Sequence, residues 1–206
     1  MVMGMAEQSG APAINPQFDR AMRDIQFAQA IREGGLSQRC HTLPTLSDAS
    51  NAKHQWGMIA LLIVLWPEAR REMLVSIALH DIAERWVGDT PADAKYGIDP
   101  ALGKAVRAAE VKVEDALGIS PLLNCLTDEE KSWHKGLDML EFLLFCGDER
   151  ALGNRNYEQA ERNVRAMLNS PWVPERIRSF AQWYTWRRTS GMVPGEVMNE
   201  LDSSNR

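Results

Sequence analysis

The sequence lacks the features that identify several classes of protein. Its 206 residues include only three cysteines and no CxxC pair, which argues against a disulfide framework and indicates a reducing compartment. It has no long basic run, and its net charge is −5, so a nucleic-acid polymer is not an expected partner. The amino-terminal residues lack the basic region and apolar core of a signal peptide. The most apolar run, residues 56–66, is shorter than the roughly 20 residues that span a bilayer. We therefore expect a cytoplasmic protein with no membrane partner.

What remains is the composition of an ordinary globular protein, with 45% apolar and 25% charged residues. The length suits one domain. No useful length of sequence shows the strict two-residue alternation of a half-buried strand. We therefore predict an all-α fold, a single bundle of about seven helices over residues 15–190, with loose tails at 1–14 and 191–206.

Capping and breaking residues delimit these helices. Asp99-Pro100 suits a helix start and Gly118 a helix end, and Thr127 to Glu130 fits the S/T-x-x-E capping box. Residues 88–100 are rich in turn-forming residues and are predicted as a loop. The predicted helices cover about residues 15–32, 51–65, 68–86, 99–117, 128–146, 156–169 and 174–189.

The chemistry-bearing residues are few and unusually placed. His80 and Asp81 follow an apolar helix, His54 lies early in the preceding one, and Asp138 interrupts the apolar run GLDMLEFLLFC. Two imidazoles and two carboxylates form a mixed nitrogen and oxygen set that suits Co, Mn, Zn, Fe or Ni. Glu84 follows Asp81 by three residues, so it can share that helical face and act on water.

Each of these residues also has a purely structural interpretation. A His-Asp pair at a helix end occurs for capping and packing reasons alone, although a charge on an apolar helical face is seldom buried without a partner. Periodicity does not show that His54, His80 and Asp138 converge. From residue chemistry alone, a metal site and a structural role both stay open.

Three blocks of sequence resemble one known family. RCHTLPTLSDASNAKHQWG at 39–57 is similar to its arginine-containing segment and first histidine, and HDIAERWVGDTPADAKY at 80–96 to its HD-x-x-E-x-x-x-G-D-x-P-x-x-x-K-Y stretch. DEEKSWHKGLDMLEFLLFC at 128–146 is similar to its K-x-x-D helix. The family is the HD-domain phosphohydrolases, specifically the YfbR-type 5′-deoxynucleotidases and their phage dATP triphosphohydrolase relatives.

The resemblance implies a role for each matching residue. It implies one divalent transition metal between the central helices, with Glu84 activating the attacking water and Asp89 near the sugar or leaving oxygen. The implied metal ligands are His54, His80, Asp81 and Asp138, and the implied phosphate-binding residues are Arg39, Lys95 and Lys135.

Two departures from the family pattern lie next to implied site residues. Lys53 stands before His54 where the family usually has glutamate, and Cys40 follows Arg39 where deoxynucleotidases often have an aromatic residue that helps to select the sugar. Cys40 and His41 are possible pocket residues. His134 has no counterpart among the family's ligands, and we expect it on an exposed helix face.

The lead hypothesis is a 5′-deoxynucleotidase that converts a deoxynucleoside monophosphate to deoxynucleoside and phosphate. The first alternative is a dNTP triphosphohydrolase that releases tripolyphosphate, since the basic residues could serve either phosphate length. The second alternative is a non-catalytic nucleotide-binding HD module. The expected partner is a small-molecule deoxynucleotide, and the apolar, Trp-rich late helices predict a homo-oligomer, either a dimer or a hexamer.

Overall fold

The structure is a computed structural model that describes residues 16–91 and 93–189. Over these residues it contains helices and one isolated antiparallel bridge, between Gln38 and Ser50, so the all-α prediction is confirmed. The predicted tails lie outside the described residues. The helices are α1 (Pro16–Gly34), α2 (Asn51–Leu65), α3 (Arg71–Leu79), α4 (Glu84–Val87), a π-helix (Asp93–Ile98), α5 (Pro100–Leu117), α6 (Ser120–Leu123), α7 (Asp128–Ala151), α8 (Glu158–Leu168) and α9 (Glu175–Thr189).

The sequence signals for helix ends correspond to real caps. The Asp99 side chain accepts a hydrogen bond from the backbone N–H of Ala101 at 2.8 Å, and Gly118 ends α5 in the left-handed region with a φ of 71°. At the start of α7, Thr127 and Glu130 accept hydrogen bonds from each other's backbone N–H groups. The capping box therefore forms as predicted.

The predicted helix over residues 68–86 is wrong in its middle. Helix α3 ends at Leu79, and α4 begins only at Glu84. Between them the N–H of Ile82 donates to the carbonyl oxygen of Leu79, and the N–H of Glu84 to that of Asp81, both at 3.1 Å. Bonds that span three residues tighten the backbone relative to an α-helix. The turn that carries His80 and Asp81 is therefore a break in the helix.

Three further features differ from prediction. The segment predicted as a loop over 88–100 contains the π-helix, and the one-turn α6 was not predicted. Helix α7 continues past the predicted end at residue 146 to Ala151, with Gly147 inside it. Gly147 lies so close to Tyr184 and Arg188 of α9 that a Cβ would overlap both side chains. This glycine therefore serves helix packing, and it does not end the helix.

The main core lies where α2, α3 and α7 pack against α8 and α9. Burial of its apolar side chains is the chief stabilising contribution expected in a fold of this kind. Over the described ranges, no helix combines the length and apolar character needed to cross a bilayer. The fully buried core side chains include Met58, Leu62, Met73, Ile77, Leu137, Leu140, Leu143, Leu168 and Ile177.

A loop over residues 36–50 closes one side of this core. Its two ends are joined by backbone hydrogen bonds, from Arg39 N–H to the carbonyl oxygen of Ala49 at 2.8 Å and from Asn51 N–H to that of Ser37 at 2.9 Å. Its far side is held by Glu149 of α7, whose carboxylate accepts hydrogen bonds from the backbone N–H groups of Leu46 and Ser47. The loop is thereby fixed against α7 with Arg39 facing the helices.

Candidate metal centre

The structure brings the four implied metal ligands together from three places in the fold. His54 lies in the first turn of α2, His80 and Asp81 in the turn after α3, and Asp138 in α7. One ligand atom each from His54, His80 and Asp81 lies within 4.8 Å of the other two. Asp138 adjoins this group, with its Oδ1 at 3.3 Å from His54 Nε2. A possible metal-binding triad therefore exists, with a further carboxylate beside it.

Both imidazoles are held by their Nδ1 atoms. His80 Nδ1 donates to the carbonyl oxygen of Ile77 at 2.8 Å, and His54 Nδ1 contacts Oε2 of Glu141. Because a carbonyl oxygen can only accept, the neutral His80 ring carries its proton on Nδ1 and has its lone pair on Nε2.

The two Nε2 atoms are buried and point at carboxylates, since Asp138 Oδ1 lies 3.3 Å from His54 Nε2 and Asp81 Oδ2 lies 3.0 Å from His80 Nε2. Neither Nε2 atom makes a hydrogen bond of good geometry with a described residue. A buried polar atom without a well-formed hydrogen bond is costly unless a ligand satisfies it. In metal-binding histidines, one ring nitrogen is commonly fixed by a protein acceptor while the other binds the metal, as Nδ1 and Nε2 could do here. The donor set therefore fits a divalent transition-metal ion.

Charges around the site keep the carboxylates ionised. Burial alone would raise the pKa of Asp138, but the neighbouring His54, Lys135 and Arg39 outweigh it and hold that pKa well below its usual range. The pKa of Asp81 is likewise lowered, because His80 and Arg39 outweigh the effect of burial. Both carboxylates are therefore available as anionic ligands at neutral pH.

The pKa of His54 is shifted upward, in contrast to those of the two aspartates. Burial lowers its pKa, but the adjacent carboxylates of Asp138 and Glu141 outweigh burial and raise the pKa to about 9. Without a cation the ring is therefore mostly protonated at neutral pH. A metal ion that binds Nε2 must displace that proton.

Arg39 reaches into the same cluster from the loop over residues 36–50. Its Nη1 donates to Oδ2 of Asp81, and its Nη2 lies 3.6 Å from Oδ1 of Asp138. The Arg39 side chain is 20% exposed, so the fold does not enclose it completely. A planar guanidinium in this position suits a phosphate group.

The residues after Arg39 are held by Asp89. Cys40 has a φ of 58°, which is unusual for a residue other than glycine, and its backbone N–H donates to Oδ2 of Asp89 at 3.1 Å. His41 Nδ1 lies 3.7 Å from the same oxygen and its side chain is half exposed. Asp89 therefore fixes the turn that presents Arg39, in addition to any role toward substrate.

Glu84 follows Asp81 by three residues, at the start of α4, and is buried. Burial, together with the negative charge of Asp81, raises the pKa of Glu84 to about 7. Asn51 donates through Nδ2 to Oε2 of Glu84 at 2.9 Å and to the carbonyl oxygen of Asp81 at 3.2 Å. A carboxylate with a pKa near neutrality can accept and return a proton at working pH.

The two lysines predicted to bind phosphate occupy different settings. Lys135 Nζ lies 2.7 Å from Oδ2 of Asp138, and its side chain is 57% exposed at the rim of the site. Lys95 lies 3.4 Å from Oε1 of Glu110. The structure therefore brings Lys135 to the cluster and pairs Lys95 with α5.

Three residues near the site were missed or misjudged from sequence. Asn51 precedes His54 by three residues and Glu141 follows Asp138 by three, so helical spacing from the predicted ligands was the signal that could have found both. The expectation that His134 lies on an exposed face is wrong. Its ring packs edge-to-face on His80, with centroids 4.9 Å apart, because α7 runs directly beside the turn that follows α3.

Comparison with curated proteins finds a 5′-deoxynucleotidase from Vibrio atlanticus (strain LGP32) that is 26% identical to this chain over 175 residues. The alignment covers 75% of this chain and 90% of that relative. No protein-family model matches the chain. The similarity is distant, and it agrees in kind with the resemblance seen in the three sequence blocks.

Proposed function

We propose that this protein is a divalent-metal-dependent phosphohydrolase that acts on deoxyribonucleotides as a 5′-deoxynucleotidase. One observation carries the proposal. The buried Nε2 atoms of His54 and His80 converge on the carboxylates of Asp81 and Asp138, and neither makes a well-formed hydrogen bond with a described residue. The similarity to a protein named 5′-deoxynucleotidase supports the choice of substrate class.

In this proposal His54, His80, Asp81 and Asp138 would hold one ion of Co, Mn, Zn, Fe or Ni. The bound ion would supply Lewis-acid polarisation of a phosphoryl oxygen and would make water more acidic. Oxygen and nitrogen ligands of this kind accept each of these metals, with affinities that generally rise from Mn²⁺ through Fe²⁺ and Co²⁺ to Ni²⁺.

The remaining site residues would divide substrate binding and proton transfer between them. Arg39 and the rim residue Lys135 would orient the phosphate, with Lys95 reaching it only if it leaves Glu110. Glu84 would take the proton from the attacking water, and its pKa near 7 suits that step. Asp89 would act near the sugar or leaving oxygen while it holds the turn at Cys40 and His41.

The experiment that tests the function uses chelator-stripped protein resupplied with Co²⁺, Mn²⁺ or Zn²⁺. Each deoxynucleoside mono- and triphosphate is offered, and phosphate and tripolyphosphate are measured separately. We expect metal-dependent release of phosphate from monophosphates. Tripolyphosphate from a triphosphate would replace this proposal by the triphosphohydrolase alternative. Nucleotide binding without turnover under every metal would favour a non-catalytic module.

We also propose that the chain forms a homo-oligomer. Trp183 and Trp186 of α9 are 55% and 56% exposed, and Ile63 and Val64 of α2 are similarly exposed. Trp183 and Trp186 are three residues apart and share one face of α9, and an exposed apolar patch of this kind is typical of subunit contacts. Sedimentation equilibrium should give a mass of at least two chains, and a monomer across the micromolar range would refute self-association.

A further inference from the structure

Glu141 is a residue near the candidate metal centre to which neither the motifs nor the similarity assigns a role. It lies in α7 one turn after Asp138, and its side chain is 14% exposed. Its Oε2 contacts Nδ1 of His54, while Oδ1 of Asp138 lies 3.3 Å from Nε2 of the same ring. Two carboxylates from one helix therefore face the two nitrogens of a single imidazole.

The chemistry of this contact determines the state of the His54 ring. An ionised carboxylate can only accept a hydrogen bond, so the proton shared with Glu141 belongs to Nδ1. The neutral ring then has its lone pair on Nε2, the atom that faces Asp81 and Asp138. A carboxylate at the second nitrogen also fixes the ring orientation and increases the basicity of the first.

The local sequence leaves room for this contact. Gly57 lies in α2 three residues after His54, and a Cβ built there would be 2.8 Å from Cγ of Glu141 and 3.1 Å from its Oε1. Any larger residue at position 57 must therefore push Glu141 aside. Lys53, which precedes His54, is exposed and donates to the carbonyl oxygen of Asp48 at 3.1 Å. Glu141 is thus the acidic group in contact with His54 Nδ1.

We propose that Glu141 is a positioning residue that holds His54 with Nε2 ready to bind a divalent cation, and that Gly57 gives it the space to do so. The inference rests on the proposed metal-dependent function. It concerns the affinity of the apoprotein for the metal, which can be measured without any substrate.

The test measures binding of Co²⁺ to chelator-stripped protein by isothermal titration calorimetry. We expect Glu141→Ala to weaken Co²⁺ binding by about 10- to 100-fold, the usual effect of losing such a partner. Glu141→Gln keeps an amide oxygen that can accept from Nδ1, so it should recover most of the affinity. Glu129→Ala is the matched control, because it removes an exposed carboxylate from the first turn of the same helix.

Gly57→Ala should disturb the contact between Glu141 and His54 while it leaves the Glu141 carboxylate in place. It should weaken Co²⁺ binding in the wild-type background but add no further loss to Glu141→Ala, because both changes act through one contact. Equal affinity of wild type, Glu141→Ala and Gly57→Ala would overturn this inference alone. A wild-type protein that binds none of Co²⁺, Mn²⁺ and Zn²⁺ would overturn both the inference and the proposed function.

Discussion

Replacement of Glu149 by alanine should release the loop that presents Arg39. The Glu149 carboxylate is fully buried and accepts four hydrogen bonds. Three come from the loop, two from backbone N–H groups at 2.8 Å and one from the Ser47 hydroxyl at 2.6 Å. The fourth comes from Nδ2 of Asn154 at 2.6 Å. These donors outweigh the effect of burial and lower the pKa of Glu149.

The expected cost follows from which donors can find water after the change. Leu46 is 62% exposed, so its N–H and the neighbouring N–H of Ser47 can be hydrated. Asn154 is 6% exposed and has less access to solvent. If about half of the four bonds are lost without replacement, at roughly 1.5–3 kcal/mol for each bond to a charged acceptor, the loss is about 3–6 kcal/mol. That is a large part of the stability of a typical domain.

Thermal unfolding followed by circular dichroism measures this loss directly. At about 2–4 °C for each kcal/mol in a domain of this size, the melting temperature should fall by at least about 6 °C. The KM for nucleotide should also rise, since Arg39 is no longer fixed, while Co²⁺ binding through His54, His80 and Asp81 is retained. Glu149→Gln keeps one acceptor oxygen, so its melting temperature should lie between those of the wild type and Glu149→Ala.

The control is Glu158→Ala, which removes a surface partner of Arg155 and should cost at most about 1 kcal/mol. A Glu149→Ala protein that melts within about 2 °C of the wild type, a shift worth about 1 kcal/mol or less, would refute the view that this carboxylate anchors the loop. A large fall in melting temperature with unchanged KM would refute the link to Arg39.

Three further predictions concern the site and the helix that carries it. Asp138→Ala should lose metal affinity but keep its helical circular dichroism spectrum; retention of metal at the wild-type affinity would remove Asp138 from the ligand set. Glu84→Ala should bind metal and nucleotide normally but lower kcat by about 10²- to 10⁴-fold, and near-normal kcat would exclude the proposed proton transfer. Glu130→Gln should destabilise the protein by about 1–2 kcal/mol at pH 7 in urea unfolding, because the amide can still complete the capping box but loses the charged pairing with Arg70.

The effect of Glu130 should depend on pH in a defined direction. Hydrogen bonds from Arg70 and Thr127 outweigh burial and lower the pKa of Glu130 to about 2, below the value of about 4.3 for an unfolded chain. The stabilisation is therefore complete above about pH 4.3 and is lost as the pH falls toward 2. The difference in unfolding free energy between wild type and Glu130→Gln should shrink over that interval, and a constant difference would contradict the assignment.

Local rules predicted the helix ends because capping depends on residues close in sequence. The Asp99 cap, the αL Gly118 and the Thr127–Glu130 box need only a few neighbouring residues, and all three form. The break after Leu79 was not predictable in the same way. Ile82 and Ala83 continue the apolar pattern across the break, since both are buried. Periodicity measures which residues are buried, and it does not record how tightly the backbone turns between them.

The same limit applies to the candidate site, where local sequence predicted single residues but not their partners. The HD-x-x-E block predicted the residues of the turn after α3, but the partners of those residues come from other helices. Asn51 contacts Glu84, and Glu141 contacts His54 across 87 positions of sequence. The position of α2 beside the turn after α3 decides the first contact, and the packing of α2 against α7 decides the second. Lys95 is the opposite case, because it lies within the HD-x-x-E block at 80–96 and yet pairs with Glu110 of α5.

The charge distribution of the site explains why proton uptake and cation binding should compete there. Asp81, Asp138 and Glu141 are each less than 20% exposed, and the guanidinium of Arg39 faces two of them. Buried negative charge in excess of its partners is costly, so the protein gains stability from any added positive charge. Protons supply it at His54 and Glu84, whose pKa values rise to about 9 and about 7. A divalent ion bound to Nε2 of His54 would take the place of the proton on that atom. It would also offset the charge of the carboxylates that raise the pKa of His54. Proton release would therefore accompany metal binding, and the affinity for metal would fall as the pH is lowered.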